Sequence, residues 1–299
     1  MAWVQLETNL GARESDSIEI LLEELGAVAI TLKDAGNHPL LEPALGETPM
    51  WPTIILTALF PEDISEASLI NALSDHFRPN QLKFTHIQDQ NWQANFEHSL
   101  KPRCFGRRLW VMPDSNEPRP TNSVAITLSP GLAFGSGEHP TTAMCLNWLD
   151  SLDLHNAQVL DFGCGSGVLG LAAAALGAKS VLMTDIDPQA LTAARKNTEK
   201  NKLQDKVHIE LAARIGGSVQ YDTLLANILS GTLIELGPNL NRLMRPGARM
   251  AITGILASQA EQVCTAWSGW ANMSIGNQIN EWVLLTGTKQ GKLKEYSKD

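Results

Sequence analysis

The sequence predicts an α/β fold: a doubly wound, mostly parallel sheet with an antiparallel C-terminal hairpin, preceded by a small ferredoxin-like α+β domain. Three observations predict it. From Gln158 onward, strand-like and helix-like segments alternate, as in a parallel sheet covered by helices. The first part reads β-α-β-β-α-β, the split-βαβ pattern. A length of 299 residues fits two domains at ~150 residues each.

In the first part, Trp3 to Thr8 alternates polar and apolar and reads as a strand. A helix follows from about Asp16, with Ile18, Leu21, Leu22 and Leu25 as its apolar stripe and Gly26 as its stop. Ala27–Leu32 and Thr53–Phe60 read as strands, separated by a Pro- and Gly-containing loop. A second helix is expected from Ser65 to Phe77, and a last strand from Leu82 to Ile87. The boundaries expected are 1–92 for this domain, 93–122 for a connector, 123–290 for the second domain and 291–299 for a polar tail.

In the connector, Lys101, Arg103, Arg107 and Arg108 form a small basic cluster, read as solvated charge rather than a nucleic-acid contact. Arg107–Met112 and Ser123–Leu128 read as strands flanking a proline loop. Beyond it the expected strands are Val159–Phe162, Val181–Asp185, Val207–Leu211, Thr223–Asn227 and Arg249–Thr253. The expected helices are Val168–Leu176, Pro188–Asn201, Thr232–Met244 and Ser258–Trp267. Ala271–Ile275 and Glu281–Thr286 form the hairpin, with its turn expected at Gly276-Asn277.

Hydrophobic residues make up 43% of the chain and charged residues 18%, which excludes a disordered chain. The net charge of −9 argues against a general nucleic-acid binder. That charge is uneven. Residues 1–100 hold 4 Lys/Arg and 15 Asp/Glu, a net of −11; residues 101–299 hold 19 and 17, a net of +2. The four cysteines lie far apart and no histidine has a ligand-spaced neighbour, so neither a disulfide framework nor a zinc site is expected. The N-terminus lacks the pattern of a signal peptide. The longest weakly polar run, Val168 to Ala178, is far short of the ~20 residues of a membrane helix. A soluble, cytoplasmic protein is expected.

The sharpest motif is Asp161-Phe162-Gly163-Cys164-Gly165-Ser166-Gly167, a strand running into alternating glycines before a helix. Glycine permits the tight turn and close approach of a ligand to the main chain. The helix N-terminus adds unpaired N–H groups and the positive end of the dipole. Such a turn holds a carboxylate, a ribose or a phosphate. Gly165-Ser166-Gly167-Val168-Leu169-Gly170 also fits the dinucleotide fingerprint, with Asp185 20 residues past Gly165. Two features favour S-adenosyl-L-methionine over a nicotinamide cofactor. Asp161 would repel a pyrophosphate and attract an ammonium or sulfonium group, and the hairpin does not suit a classical dinucleotide fold. An NAD-dependent oxidoreductase is the competing enzyme.

Asp187 precedes Pro188 and falls at a helix N-cap, a structural position. That leaves Asp185 at the strand end to bind the ribose hydroxyls. Upstream, Ser129 to Thr142 contains three glycines, one aromatic (Phe134) and Pro140, which is expected to open a helix with Thr141 and Thr142 in its first turn. A docked carboxylate and a merely capped helix both fit this segment. The stretch Gly131–Gly137 is read as a lid over the site.

Several of these segments together resemble one family. They are Ala133-Phe134-Gly135-Ser136-Gly137-Glu138-His139-Pro140-Thr141-Thr142, the glycine turn, Asp185-Ile186-Asp187-Pro188, Ala226-Asn227-Ile228-Leu229, and Ser258-Gln259 after Gly254-Ile255-Leu256. Trp3, Gly46-Glu47-Thr48 and Phe105-Gly106-Arg107-Arg108-Leu109-Trp110 also match. The chain resembles the PrmA family, methyltransferases of large-subunit ribosomal protein eleven, to about Gly287. One departure is Ser136, where the family more often has Thr.

The resemblance implies a seven-stranded Rossmann-like methyltransferase domain behind a substrate-recognition domain. It implies that Thr142, Gly163, Asp185 and Asn227 contact S-adenosyl-L-methionine. The glycine turn and upstream loop add Asp161, Gly165 and Phe134 to the candidate cofactor contacts. Asn227 is the candidate catalytic residue, orienting an amine. The segment Asn227-Ile228-Leu229-Ser230 lacks the prolines and aromatic that hold planar amides or bases, so an aliphatic amine fits better. The implied substrate is a basic large-subunit ribosomal protein, free or within the ribosome, methylated on lysine ε-amino groups or its α-amino group. Neither a membrane nor sequence-specific nucleic acid is an expected partner. A non-catalytic S-adenosylmethionine-binding ribosome-assembly factor and an RNA methyltransferase are the alternatives in this setting.

Overall fold

The computed structural model describes residues 2–36, 49–88, 101–113, 121, 123–129, 139–215 and 219–291. The chain divides into two compact units, Met1–Trp92 and Gln93–Asp299.

In the first unit, β1 (Trp3–Gly11), α1 (Ser15–Glu24), β2 (Ala29–Asp34), β3 (Thr53–Pro61), α2 (Glu66–Ala72) and β4 (Lys83–Ile87) follow in that order. The strands form one antiparallel sheet, β2-β3-β1-β4. The period-2 pattern explains the layering. Val4 and Leu6 of β1 and Leu56 and Phe60 of β3 are fully buried, and they pack with Ile18 and Leu22 of α1 and Leu69 of α2. Burying each such side chain stabilises the unit by about 1.5–3 kcal/mol.

Helix α2 ends at Ala72, five residues before the expected Phe77. The Ser74 hydroxyl donates to the Asn71 carbonyl, and such local bonds compete with the helical ladder. Phe77 is still buried, carried inward by a turn in which its N–H donates to Leu73.

The second unit opens with a small sheet of β5 (Arg103–Phe105), β6 (Leu109–Pro113) and β7 (Val124–Leu128). The expected connector therefore contributes strands of its own. Gly106 turns between β5 and β6 with φ 68°, and its N–H donates to Asn147. The Arg107 N–H donates to the buried Asp150, and the Arg108 guanidinium lies 3.4 Å from the same carboxylate. Part of the basic cluster is thus tied down rather than merely solvated.

The main sheet holds β8 (Gln158–Phe162), β9 (Ser180–Asp185), β10 (Val207–Leu211), β11 (Tyr221–Asn227), β12 (Met244–Leu256), β13 (Ala271–Ile279) and β14 (Trp282–Lys289). Its order is β10-β9-β8-β11-β12-β14-β13. The first five are parallel, and β14 and β13 are antiparallel. Among the described residues, five helices accompany it: α3 (Pro140–Asp150), α4 (Val168–Ala175), α5 (Pro188–Asn201), α6 (Ser230–Leu243) and α7 (Ala260–Trp267). The seven-stranded α/β sheet is the one expected.

Three details differ from the sequence expectation. Strand β12 is much longer than Arg249–Thr253 and carries an irregularity between Ile252 and Ile255, at Gly254 with φ 84°. The hairpin turn lies at Asn280, φ 53°, and Glu281 rather than at Gly276-Asn277. Gly276-Asn277 instead forms a bulge inside β13, where the absent side chain lets Thr286 approach. The proline loop 114–120, Gly46-Glu47-Thr48 and the tail beyond 291 lie outside the described residues.

Candidate functional site

The glycine turn after β8 needs glycine at each of its alternating positions. Gly163, Gly165 and Gly167 have φ of 72°, 53° and 82°, a region that L side chains avoid. The N–H groups of Gly163 and Cys164 both donate to the Thr184 carbonyl at the end of β9. Gly167 caps α4 in the left-handed conformation. A Cβ on Gly163 would stand 2.4 Å from Cγ2 of Ile228, so the turn and the Ile228 side chain share one space.

Asp185 ends β9 as expected. Its Oδ2 accepts from the Gly165 N–H at 2.9 Å and its Oδ1 from the Asp187 N–H at 3.0 Å. These bonds fix the carboxylate, and each oxygen keeps acceptor capacity. Asp187 accepts from the Gln189 N–H at 2.8 Å and caps α5, the structural position assigned to it.

Asp161 is buried against the helix that follows the turn. It is 1% exposed, and its Oδ2 accepts from the Gly170 N–H inside α4 at 2.8 Å. Its Oδ1 has no hydrogen-bond partner among the described residues. Burial pushes its pKa up to about 7; the Gly170 bond works against this and the neighbouring Asp185 adds to it. A carboxyl whose pKa is raised in this way carries less negative charge near neutral pH and is a weaker electrostatic partner for a cation.

Asn227 ends β11. Its Nδ2 donates to the hydroxyl of Thr142 at 3.2 Å, which leaves Oδ1 without a partner among the described residues. Thr142 is fully buried in the first turn of α3, behind this contact. Thr141 is its neighbour on the cavity wall. His139 caps α3: its ring Nδ1 faces the Thr141 N–H at 3.4 Å and the Thr141 hydroxyl at 2.7 Å. The same ring meets Trp282 edge-on, with centroids 5.1 Å apart. Burial holds the His139 pKa below its ordinary value, against the pull of Glu281.

These elements enclose a cavity of about 520 Å³. Gly163, Gly165, Asp185, Asn227, Leu229 and Trp282 are among its lining residues, at the carboxyl ends of the parallel strands. Asp161 and Thr142 do not line it. Phe134 and the expected lid Gly131–Gly137 lie outside the described residues.

Sequence reasoning missed His139, Trp282, Ile228 and Gly254 as parts of the site. Gly254 carried a signal, because a lone glycine inside a strand pattern marks a bulge or a close backbone approach. Here a Cβ would stand 2.4 Å from the Ile228 carbonyl oxygen. His139, just before the first helical proline, was legible as an N-cap. Trp282 follows a hairpin turn by tertiary placement alone.

A parallel sheet with an antiparallel hairpin edge, and a cavity over the strand ends built by a glycine turn, set the chain in the class of S-adenosylmethionine-dependent methyltransferases. The family model described as "Ribosomal protein L11 methyltransferase (PrmA)" matches residues 2–290. The chain belongs to that family. A ribosomal protein L11 methyltransferase of Actinobacillus pleuropneumoniae serotype 3 is 42% identical over 294 residues, 97% of this chain and 100% of that one. One from Shewanella sp. strain ANA-3 is 40% identical over 296 residues, again 97% and 100%. The crystal structure of ribosomal protein L11 methylase from Lactobacillus delbrueckii subsp. bulgaricus matches with a TM-score of 0.57 at 29% identity, covering 64% of this chain and all of that one.

The residues present fit the donor. Side-chain-free backbone at Gly163 and Gly165 faces the cavity, the fixed Asp185 carboxylate can accept ribose hydroxyls, and Ile186 and Leu229 supply apolar wall for a base.

Proposed function

We propose that this chain methylates ribosomal protein L11 on lysine ε-amino groups and on its α-amino group, as a cytoplasmic enzyme. The observation that carries the amine assignment is the Asn227 amide, anchored through Nδ2 to Thr142 with Oδ1 left available. The family membership over residues 2–290 carries the reaction.

S-adenosylmethionine, when bound, supplies an electrophilic methyl group on a sulfonium. Gly163, Gly165 and Asp185 would hold it. The acceptor lysine has an ordinary pKa of ~10.4 and must arrive neutral. A wall of Ile228, Leu229, Leu236 and Trp282 disfavours its ammonium form, so desolvation does much of the work of a base. The Asn227 Oδ1 accepts one amine hydrogen and aims the nitrogen lone pair. Fixing that direction lowers the orientational part of the barrier. Asp161 supports the site by bracing α4 behind the glycine turn, rather than by touching the donor.

The first unit is proposed as the substrate-recognition domain. Its strand order β2-β3-β1-β4 and its two helices support a ferredoxin-like assignment. We take 1–92 as this domain, 93–122 as the connector, 123–290 as the catalytic domain and 291–299 as the tail. Its acidity suits a basic ribosomal protein. Glu14, Asp16, Glu23 and Glu24 are exposed on or beside α1. Burial, and then the neighbouring Asp16 and Glu23, raise the pKa of Glu19.

The test is transfer of label from S-adenosylmethionine to ribosomal proteins taken from cells lacking this enzyme. Label in ribosomal protein L11 is the expected result. Label in ribosomal RNA, or in no polypeptide, would overturn the proposal.

A further inference from the structure

One cavity stands apart from the donor site. It has a volume of about 440 Å³, and its described lining residues, Ala2, Trp3, Pro61, Glu62 and Asp63, belong to the first unit. Its construction follows from the sheet. Trp3 opens β1 and pairs with Pro61 at the end of β3. Val4 and Phe60 turn into the core, so their neighbours Trp3 and Pro61 belong to the opposite face of the sheet. The chain then turns, with the Ile64 N–H donating to the Pro61 carbonyl, and this turn presents Glu62 and Asp63 at the cavity rim. Both carboxylates are exposed, and neither has a hydrogen bond or ion pair to a described residue. Trp3 is only half-buried although it is large and apolar.

An indole next to two carboxylates with no partner among the described residues suits a cation on a flexible apolar stem. The stem lies along proline and the indole, the charge sits over the ring, and the carboxylates accept its N–H groups. The surrounding unit, residues 1–92, holds 4 Lys/Arg and 14 Asp/Glu, a net charge of −10, which draws such groups in. We propose that the Trp3, Glu62 and Asp63 cavity receives a lysine or arginine side chain of the substrate ribosomal protein, as an anchor away from the methylated amine. This rests on the reading of the first unit as the domain that binds a basic substrate.

The test is binding of an octalysine peptide to the full chain, followed by isothermal titration at low and at moderate salt. Three variants are compared with the unsubstituted protein: Trp3→Ala, Trp3→Phe, and Glu62→Gln with Asp63→Asn. The last pair is exposed and leaves the core untouched. A control, Glu23→Gln with Glu24→Gln, removes the same charge elsewhere. An exposed cation–π contact and two screened carboxylates together are worth about five- to tenfold in affinity. Trp3→Ala and the Glu62/Asp63 pair should each weaken binding about threefold or more, Trp3→Phe should retain most of it, and the α1 control should lose less. Equal losses in the two charge pairs, or unchanged binding in Trp3→Ala, would overturn the site in favour of diffuse attraction. The same variants assayed for methylation of ribosomal protein L11 should raise KM with kcat unchanged. If the unsubstituted protein binds octalysine through this cavity but labels no ribosomal protein, the substrate reading fails and the cation site stands.

Discussion

The Nδ2 of Asn227 donates to the hydroxyl of Thr142 at 3.2 Å, joining the end of β11 to the first turn of α3 across 85 residues of sequence. The bond commits Nδ2 of the amide and leaves Oδ1 without a partner among the described residues. On the proposed function, Thr142 positions Asn227 and Oδ1 receives the amine.

Removing either side of this pair should separate turnover from donor binding. Asn227→Ala is expected to lower kcat by about a hundredfold, the scale at which small misplacements act, while the donor dissociation constant changes far less. Thr142→Val should follow it in direction, and Thr142→Ser should recover most of the activity. Single-turnover kinetics beside equilibrium donor binding makes the comparison. Equal losses in both quantities for Asn227→Ala would reduce Asn227 to a cofactor contact.

Ile228 is held between two glycines in two different ways. An alanine Cβ at Gly163 would strike its side chain, whereas one at Gly254 would strike its carbonyl oxygen, each at 2.4 Å. Both Gly→Ala changes should destabilise the protein, by about 1–3 kcal/mol from the left-handed backbone alone. Adding Ile228→Ala should restore part of the loss in Gly163→Ala, because the obstacle is a removable methyl. It should restore none in Gly254→Ala, because the obstacle is main chain. Denaturant unfolding of the two double variants tests this, and equal rescue in both would contradict the packing described.

Stability should depend on pH through Asp161. Its folded pKa is pushed up to about 7 from an ordinary 3.8. Between those values the folded state holds the proton more tightly than the unfolded chain. Stability is therefore highest at low pH in this window and falls as pH rises through it, by up to ~1.4 kcal/mol per pH unit. Asp161→Asn keeps an acceptor for Gly170 and cannot ionise, so its melting curve should be flatter across this range. Parallel pH profiles for the two proteins would show that Asp161 is not the group involved.

The acidic helix should act on capture rather than on chemistry. Replacing Glu14, Asp16, Glu23 and Glu24 by their amides should raise KM several-fold for a basic substrate at low salt and flatten its salt dependence. An unchanged salt slope would assign that charge to solubility alone.

The glycine turn, the placement of Asp185 at a strand end and the succession of the parallel strands were legible because each is local chemistry. Alternating glycines, an acid at a strand end and a proline after an N-cap need no knowledge of distant residues. The sequence position of Asp161 says only that it precedes the turn. Which way its carboxylate faces depends on α4, through the Gly170 N–H. That Thr142 meets Asn227 is likewise visible only in the fold, because 85 residues separate the two. The hairpin turn was placed at Gly276-Asn277 because that dipeptide is a strong turn signal. The bulge opposite Thr286 uses the same glycine for a close approach instead. Trp282 and His139 meet only through tertiary packing, which neither position announces.

The most direct test of the account is intact-mass and peptide mapping of ribosomal protein L11 after incubation with S-adenosylmethionine and either the unsubstituted enzyme or Asn227→Ala. The account predicts methyl-sized mass increments on lysine side chains or the α-amino group with the first enzyme. With Asn227→Ala it predicts nearly none, although that variant still binds the donor. Increments confined to amide or guanidinium nitrogens, or undiminished by Asn227→Ala, would contradict it.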